Sequence, residues 1–406
     1  MSGGWKRIRL EDALEALIDY RGKTPNKTTS GIPLITAKIV KNGFIQEPNE
    51  FIAAEDYDSW MVRGFPKIGD VVLTMEAPLG EVAQINDERV ALAQRIVTLR
   101  GKEGLLDNTY LKYFFKSEIG QSRLKERETG TTVTGIKQSE LRLVEIDVPP
   151  LSTQRCIATI LSELDEKIEL NRQTNQTLEA IAQALFKEWF VDFNFPGATG
   201  RMQESELGPI PVGWKVRKLG EVCDVNKKAL SKNDGLEWIE YIEISGVNKG
   251  VINETTRYDL GKEPSRAKRK ISHGDTVLST VRPDRGSYFL AINPPSSHIA
   301  STGFAVFSAT KVPFTFLYIF LTDLEKLEYY GHIADGGAYP AINPNLIMDM
   351  DIIIPDEIVL REFNSRSESI FEKMHIYNQQ SKQLSQLRDT LLPKLMNGEI
   401  AVRATE

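Results

Sequence analysis

The chain of 406 residues has only two cysteines and four histidines. Cys156 and Cys223, the one possible pair, lie in different parts of the chain, and in a protein expected in the cytosol both are read as free thiols. His273, His298, His332 and His375 stand at no ligand spacing to one another or to a cysteine, so no metal site is expected. Long apolar runs are missing too. Phe314–Leu321 is among the longest, well short of the roughly 20 residues a membrane span requires, so no membrane partner is expected. Met1–Leu10 carries no apolar signal region, and a cytoplasmic location is expected. An excess of positive charge is also absent: 50 Lys and Arg against 56 Asp and Glu leave a net charge of −6. That excludes binding to nucleic acid by bulk charge, since phosphate neutralisation depends on Lys and Arg. Any nucleic-acid surface is then a local patch, or one whose charge a partner completes. The 41% hydrophobic and 26% charged content is otherwise that of a globular protein, and the length suits two or three domains.

Signatures of catalysis are missing as well. No Gly-rich phosphate loop ends in Gly-Lys-Ser/Thr, no His-Glu-x-x-His helix is present, and no Gly-x-Ser-x-Gly elbow occurs. Asn293-Pro294-Pro295-Ser296 has the outline of an adenine methyltransferase motif. Its last position needs an aromatic ring to stack on a flipped base, and Ser296 cannot stack. Pro283-Asp284 lacks the Glu-x-Lys that completes a nuclease metal site. No catalytic residue, cofactor or metal is therefore expected.

What the chain does have is a long internal repeat. Gly4-Trp5 returns as Gly213-Trp214, Leu34–Ile45 as Tyr241–Ile252, Gly69-Asp70 as Gly274-Asp275, Pro149 as Pro355 and Leu185 as Leu391, at offsets of 205 to 209 residues. Order and spacing hold along the whole length, which marks a duplicated unit with small loop changes. In each copy a mixed α/β globule comes first. Val71–Thr74 and Thr276–Ser279 read as strands after Gly-Asp turns, and Val144–Val148 and Met350–Ile354 as strands stopped by proline. Short helices are expected near Thr109–Lys116 and Pro313–Leu321.

A long helix follows each globule. After Pro150, Ser152 can cap a helix that meets no Gly or Pro until Pro196. Leu161, Leu164, Ile168, Asn171, Asn175, Leu178, Ala182, Leu185 and Trp189 alternate steps of three and four, a heptad seam. The second seam runs through Phe363, Ile370, Met374, Tyr377, Leu384, Leu387, Leu391 and Leu395, with Pro393 expected to kink or end it. Asn171 and Asn175 either set the register of the pair or face solvent. The Gly- and Pro-rich stretch between the copies reads as a linker. The expected fold is α+β: globules at 1–150 and 213–356, helices at 151–192 and 357–406, and a linker at 193–212. With antiparallel helices the duplication becomes pseudo-twofold.

Five loops combine cations with small donors and Gly or Pro stiffness, a mixture suited to phosphate and base-edge contacts. The first is Arg21–Thr29, offering Arg21, Lys23, Thr24 and Lys27. Thr129–Lys137 offers Thr131, Thr132, Thr134 and Lys137. The densest basic run, Lys262–Lys270, offers Arg266, Lys268, Arg269 and Lys270, and the first copy has no equal of it. Arg282 and Arg285 flank a Pro-Asp turn, and Tyr339 lies in Gly336–Pro340. Thr131–Lys137 aligns with Gly337–Asn343, and Ala77-Pro78 with Arg282-Pro283. The frame repeats while the loop chemistry changes, as suits reading two different short sequences.

On these residues the chain resembles the specificity subunits of type I restriction–modification systems. The resemblance rests on the Gly-Trp starts and on Asp19–Pro25, Pro33–Gly43, Glu76–Ala83 and Glu204–Trp214, together with both Pro-led helices. It implies two target-recognition domains separated by paired helices, each reading half of a split double-stranded DNA site. It implies that the helices act as a ruler and dock two methyltransferase subunits, that restriction subunits join that core, and that the chain itself is not catalytic. Phe186, Phe190 and Leu392, if exposed beyond the seam, are candidate partner contacts; otherwise they complete the core. Two other readings stay open: a stand-alone methyltransferase or nuclease, and a coiled-coil scaffold that binds no DNA.

Overall fold

The computed structural model describes residues 4–130, 134–231, 233–337 and 340–402. It divides into two compact units, Met1–Glu169 with Lys382–Glu406, and Leu170–Ser381.

In the first unit the Gly69-Asp70 turn launches Val71–Met75, whose five residues are all buried. It is a central strand of an antiparallel sheet ordered Leu14–Asp19, Ile96–Gly101, Val71–Met75, Leu79–Gln84. Gly69 takes a φ of +86° that glycine adopts without strain. Against this sheet packs the helix Asn108–Lys116, capped by Asp107 and burying Tyr110, Leu111, Tyr113, Phe114 and Phe115. The second unit repeats the plan. Cys223–Val225, Phe304–Ala309, Thr276–Ser279 and Tyr288–Leu290 form the sheet in the same order, and Phe314–Thr322 is the helix. Val71 stands opposite Leu99, and Thr276 opposite Phe307, so the registers correspond residue by residue. The side sheets differ. Three short strands serve the first unit, whereas the second has four, ordered Thr256–Asp259, Trp238–Ile242, His298–Ser301, Ala267–Lys270.

The stretch expected as a plain linker holds structure. Met202–Gln203 pairs with Ile210–Pro211, Ile210 is buried, and the rings of Phe193 and Phe195 lie 5.6 and 4.9 Å from that of the buried Trp214. Apolar side chains set among the Gly and Pro residues make the difference, since each ring removes surface from water.

The long helices are Leu151–Phe190 and Glu357–Met396, each 40 residues and so about 60 Å long. In the first unit Ile157 and Leu161 share a core with Leu392, Leu395 and Met396. In the second unit Asn171 Nδ2 donates to Gln380 Oε1 at 3.0 Å and to Ser381 Oγ at 3.2 Å, and Asn175 Nδ2 donates to Asn378 Oδ1 at 2.7 Å. Further along, Ala182, Trp189 and Phe190 pack with Phe363 and Phe371. Within each unit, positions rise along one helix as they fall along the other, so the pairing is antiparallel. Both asparagines are buried and bonded across the seam, which favours the register role over a solvent-facing one.

Three details correct the expectations. The second helix runs through Pro393 to Met396, because a proline so near the end removes one N–H donor, and the carbonyl this leaves free belongs to the exposed Asp389. The chain after Met396 turns rather than extending the helix. Leu387 is exposed at 48%, off the seam.

One buried polar cluster joins globule and helices in the first unit. Asp165 on the first long helix accepts Tyr113 Oη–H at 2.8 Å, Lys116 Nζ at 3.0 Å and Arg388 Nη1 at 2.7 Å. Its cations hold the Asp165 carboxyl below the usual range despite burial. Lys112, 6% exposed, lies with Nζ 4.4 Å from the Tyr113 ring centroid, and burial lowers its pKa to about 8. The unfolded chain keeps, up to its ordinary value of 10.5, the proton that the folded chain releases near 8. Stability from this group therefore rises with pH across that window. Lys112→Met should raise stability at neutral pH by about 1–3 kcal/mol, a gain that shrinks as the pH climbs through the same window. Thermal or denaturant unfolding at several pH values measures it. An equal change at all pH values would show that burial leaves the Lys112 pKa at its ordinary value.

Candidate nucleic-acid interface

The first globule brings two of its predicted loops together. Asp19 ends a strand and its Oδ1 accepts the Arg21 N–H at 2.7 Å. Arg63 Nη1 donates to the carbonyls of Asp19 and Arg21, both at 2.9 Å, and so pins the loop from beneath. Arg21 reaches Glu76 Oε2 at 3.3 Å, and Glu76 also receives Arg95 Nε at 3.2 Å. Gly135 bridges both Glu76 and Thr129, and Arg21 Nη1 contacts the Ile136 carbonyl at 3.5 Å. Arg21, Thr134 and Lys137 thus come from one neighbourhood centred on Glu76. Thr134 and Lys137 are exposed, as are Lys23 and Thr24. Lys27 is ion-paired with Glu50 at 2.7 Å, and that bond holds the Glu50 carboxyl below its usual range. Thr131 and Thr132 lie outside the described residues.

The second globule repeats the frame. Ala341 bridges Val281 and Asp335 where Gly135 bridges Glu76 and Thr129. Arg282 takes a left-handed φ of 48°, matching Ala77 at 51°, and its N–H donates to the Pro340 carbonyl at 2.9 Å. Arg285 ends the short turn Pro283–Arg285 and is exposed. Tyr339 lies outside the described residues.

The basic run Lys262–Lys270 is less uniform than its sequence. Ala267–Lys270 is a strand whose register shifts between Ala267 and Arg269, and its side chains take different surroundings. Arg266 and Lys268 are exposed, whereas Lys270 is bound to Asp234 at 2.8 Å. Arg269 is half-buried, its Nε has no hydrogen-bond partner among the described residues, and burial lowers its pKa. A partly desolvated guanidinium without a carboxylate is suited to an incoming anion.

The structure adds cations that sequence reading missed. Arg63 and Arg95 organise the first site, and Arg257 lies 4.1 Å over the Trp238 ring on the second globule's side sheet. Their only signal was a cation beside a turn or an aromatic, which is common in any sequence. The proposed apolar contacts are corrected. Phe190 is buried with its ring 4.8 Å from Phe363, Phe186 is half-buried 5.2 Å from Phe316, and Leu392 lies in the first unit's core. These residues complete cores rather than standing exposed beyond the seam. The exposed apolar residues of the helices are Leu170, Ile181, Ile358, Ile376 and Leu387.

Among the described residues no group of three His, Cys, Asp or Glu could hold a metal ion, and no helix is long and apolar enough to cross a membrane.

Known proteins share this pattern. The family described as the type I restriction modification DNA specificity domain matches residues 2–180 and 211–384. The type I restriction enzyme MjaIX specificity subunit of Methanocaldococcus jannaschii is 30% identical over 91% of this chain and 87% of its own length. The HindI specificity subunit of Haemophilus influenzae is 28% identical over 73% of this chain and 76% of its own length. In fold, the chain is similar to the crystal structure of a type I restriction–modification S subunit from M. genitalium, with a TM-score of 0.60 at 16% identity over 97% of both chains.

Proposed function

The chain belongs to the type I restriction–modification DNA specificity family, and from that premise we propose that each globule reads one half of a split double-stranded DNA target. The chain is a specificity subunit, a non-catalytic component of a system that assembles with methyltransferase and restriction subunits around DNA.

One observation carries the bipartite reading. The bridges Glu76–Gly135–Thr129 and Val281–Ala341–Asp335 build the same loop frame twice, while the side chains displayed on it differ. A repeated frame with changed side chains presents two different sets of donors and acceptors, which is what reading two different base sequences requires. In this reading Arg21, Lys23, Thr24, Lys27, Thr131, Thr132, Thr134 and Lys137 serve the first half-site. Arg266, Lys268, Arg269, Lys270, Arg282, Arg285 and Tyr339 serve the second. The helix pair acts as the ruler between half-sites and as the docking surface for two methyltransferase subunits, through which restriction subunits join. The complex works in the cytoplasm, where its DNA is.

Mapping of methylated bases in cells that carry this chain and its methyltransferase partner should return a split motif, two short blocks separated by a gap of fixed length. A single continuous motif would reject the division of labour between the globules. The purified chain alone should transfer no methyl group from a donor to DNA. For Arg269, truncation to alanine should weaken binding of the assembled complex to all sequences by roughly three- to tenfold. It should also lower the slope of log affinity against log salt by about 0.9, the signature of one lost phosphate contact. An unchanged slope would remove Arg269 from the phosphate contacts.

A further inference from the structure

The two copies treat one buried carboxylate differently. In the first, Asp70 accepts the Lys67 N–H at 2.8 Å and is gripped by Arg100, through Nε at 2.8 Å and Nη2 at 2.6 Å. This is a bidentate, charge-assisted pair. In the second copy Asp275 sits in the same turn and accepts the Ser272 N–H at 2.7 Å. By strand register, Arg100 follows Leu99 opposite Val71, and Ser308 follows Phe307 opposite Thr276. Ser308 therefore stands where Arg100 stands. Its hydroxyl donates to Asp275 Oδ1 at 2.6 Å but brings no charge. Asp275 is 5% exposed, and burial raises its pKa although Lys228 and His273 lie near enough to oppose that shift.

The space is open where the first copy has its guanidinium. Asp275 and Ser308 line a cavity of about 640 Å³ in the second unit, closed on one side by Arg361, Asn364 and Glu368 of the second long helix. Several cations line it, yet most are already matched. Lys227 is bound by Asp224 at 2.8 Å and Arg361 by Glu357 at 2.6 Å. Lys228 donates to Ser272 Oγ at 3.2 Å, and His273 stacks edge-on to Phe314 while its Nδ1 accepts the Asn293 N–H at 3.3 Å. Against Lys228 the cavity sets two carboxylates, Asp275 and Glu368, the latter accepting Asn364 Nδ2–H at 2.8 Å. The cavity is thus complementary to a planar cation that can bond a carboxylate with two parallel N–H groups, a geometry guanidinium has and ammonium lacks.

We propose that this cavity is a docking site for an arginine side chain of the methyltransferase partner, which supplies from outside the guanidinium that Arg100 supplies within the first copy. The choice of partner rests on the family reading above. The bound arginine bridges globule and helix of the second unit, so it reports to the partner that the two are correctly packed.

Two variants of the full chain test it. Ser308→Arg fills the cavity with a guanidinium of its own, and Asp275→Asn removes the charge without adding bulk. Both should fold with cooperative thermal transitions, Ser308→Arg at a higher midpoint, and both should assemble with the methyltransferase at least about tenfold more weakly. In parallel, millimolar N-acetyl-arginine methylamide should raise the melting midpoint of the unsubstituted chain and leave that of Ser308→Arg unmoved, with the lysine analogue as control. Native assembly affinity in either folded variant would overturn the proposal. Should the unsubstituted chain fail to assemble with the methyltransferase at all, the family reading of the partner fails. The arginine amide then decides the cavity alone, and a shift no larger than that from the lysine analogue would overturn it.

Discussion

A single carboxylate ties together three elements of the first unit. Asp165 on the first long helix is bonded at once to Tyr113 and Lys116 of the globule and to Arg388 of the second long helix. Three elements distant in sequence meet there, and none can shift without stranding a buried charge, which costs several kcal/mol. At the corresponding positions of the second unit stand Phe371 for Asp165, Ala182 for Arg388, Ile319 for Tyr113 and Thr322 for Lys116, with Tyr318 of the same helix packed edge-on to Phe371 at 5.2 Å. The backbone plan is shared and the chemistry is opposite. A buried ion cluster adds little net stability compared with apolar packing of similar volume. Its use is specificity. Lys112 and Lys116 would be buried without a counter-charge at Phe371, so each globule is matched to its own helix face.

The same separation of frame and content runs through the loops. Backbone bridges at Gly135 and Ala341 and left-handed residues at Ala77 and Arg282 recur in both units. These features are made by main-chain atoms, which tolerate side-chain change. Substitutions displayed on them alter donors and charge at little cost to the fold, since exposed changes typically shift stability by under about 0.5 kcal/mol. Frame and displayed chemistry can therefore vary independently.

Most of the frame was legible in the sequence, for physical reasons that also mark where legibility ends. The seam through Leu161, Asn171, Asn175 and Trp189, the Gly-Asp turns and the strand stops at proline are local patterns, and local sterics enforce them. The duplication was readable because paired anchors constrain each other. Three kinds of feature were not readable. The packing of Phe186 and Phe190 depends on Phe316 and Phe363, and that of Leu392 on the first unit's core, in each case neighbours distant in sequence. The hairpin between Met202 and Pro211 forms because Ile210 and Trp214 find a core. And whether a basic residue is available depends on acidic partners that spacing does not reveal: Lys270 has Asp234, Lys27 has Glu50, and Arg269 has none among the described residues.

Those ion pairs bear on how a chain of net charge −6 can address DNA. Arg21, Lys27 and Lys270 each carry their own carboxylate, so at a distance these cations exert little pull on a phosphate backbone. Solvent-exposed pairs are worth roughly 0–1 kcal/mol, so exchanging the carboxylate for a phosphate at close range costs little. On the proposed reading of these loops, sequence-independent attraction is weak and the paired cations exchange carboxylate for phosphate only on contact. Non-specific binding is mainly the long-range term, and specific binding adds short-range base contacts. Suppressing the first while keeping the second raises the ratio between them, and that ratio, rather than raw affinity, governs how a specificity subunit selects its site among the many competing sequences of a genome.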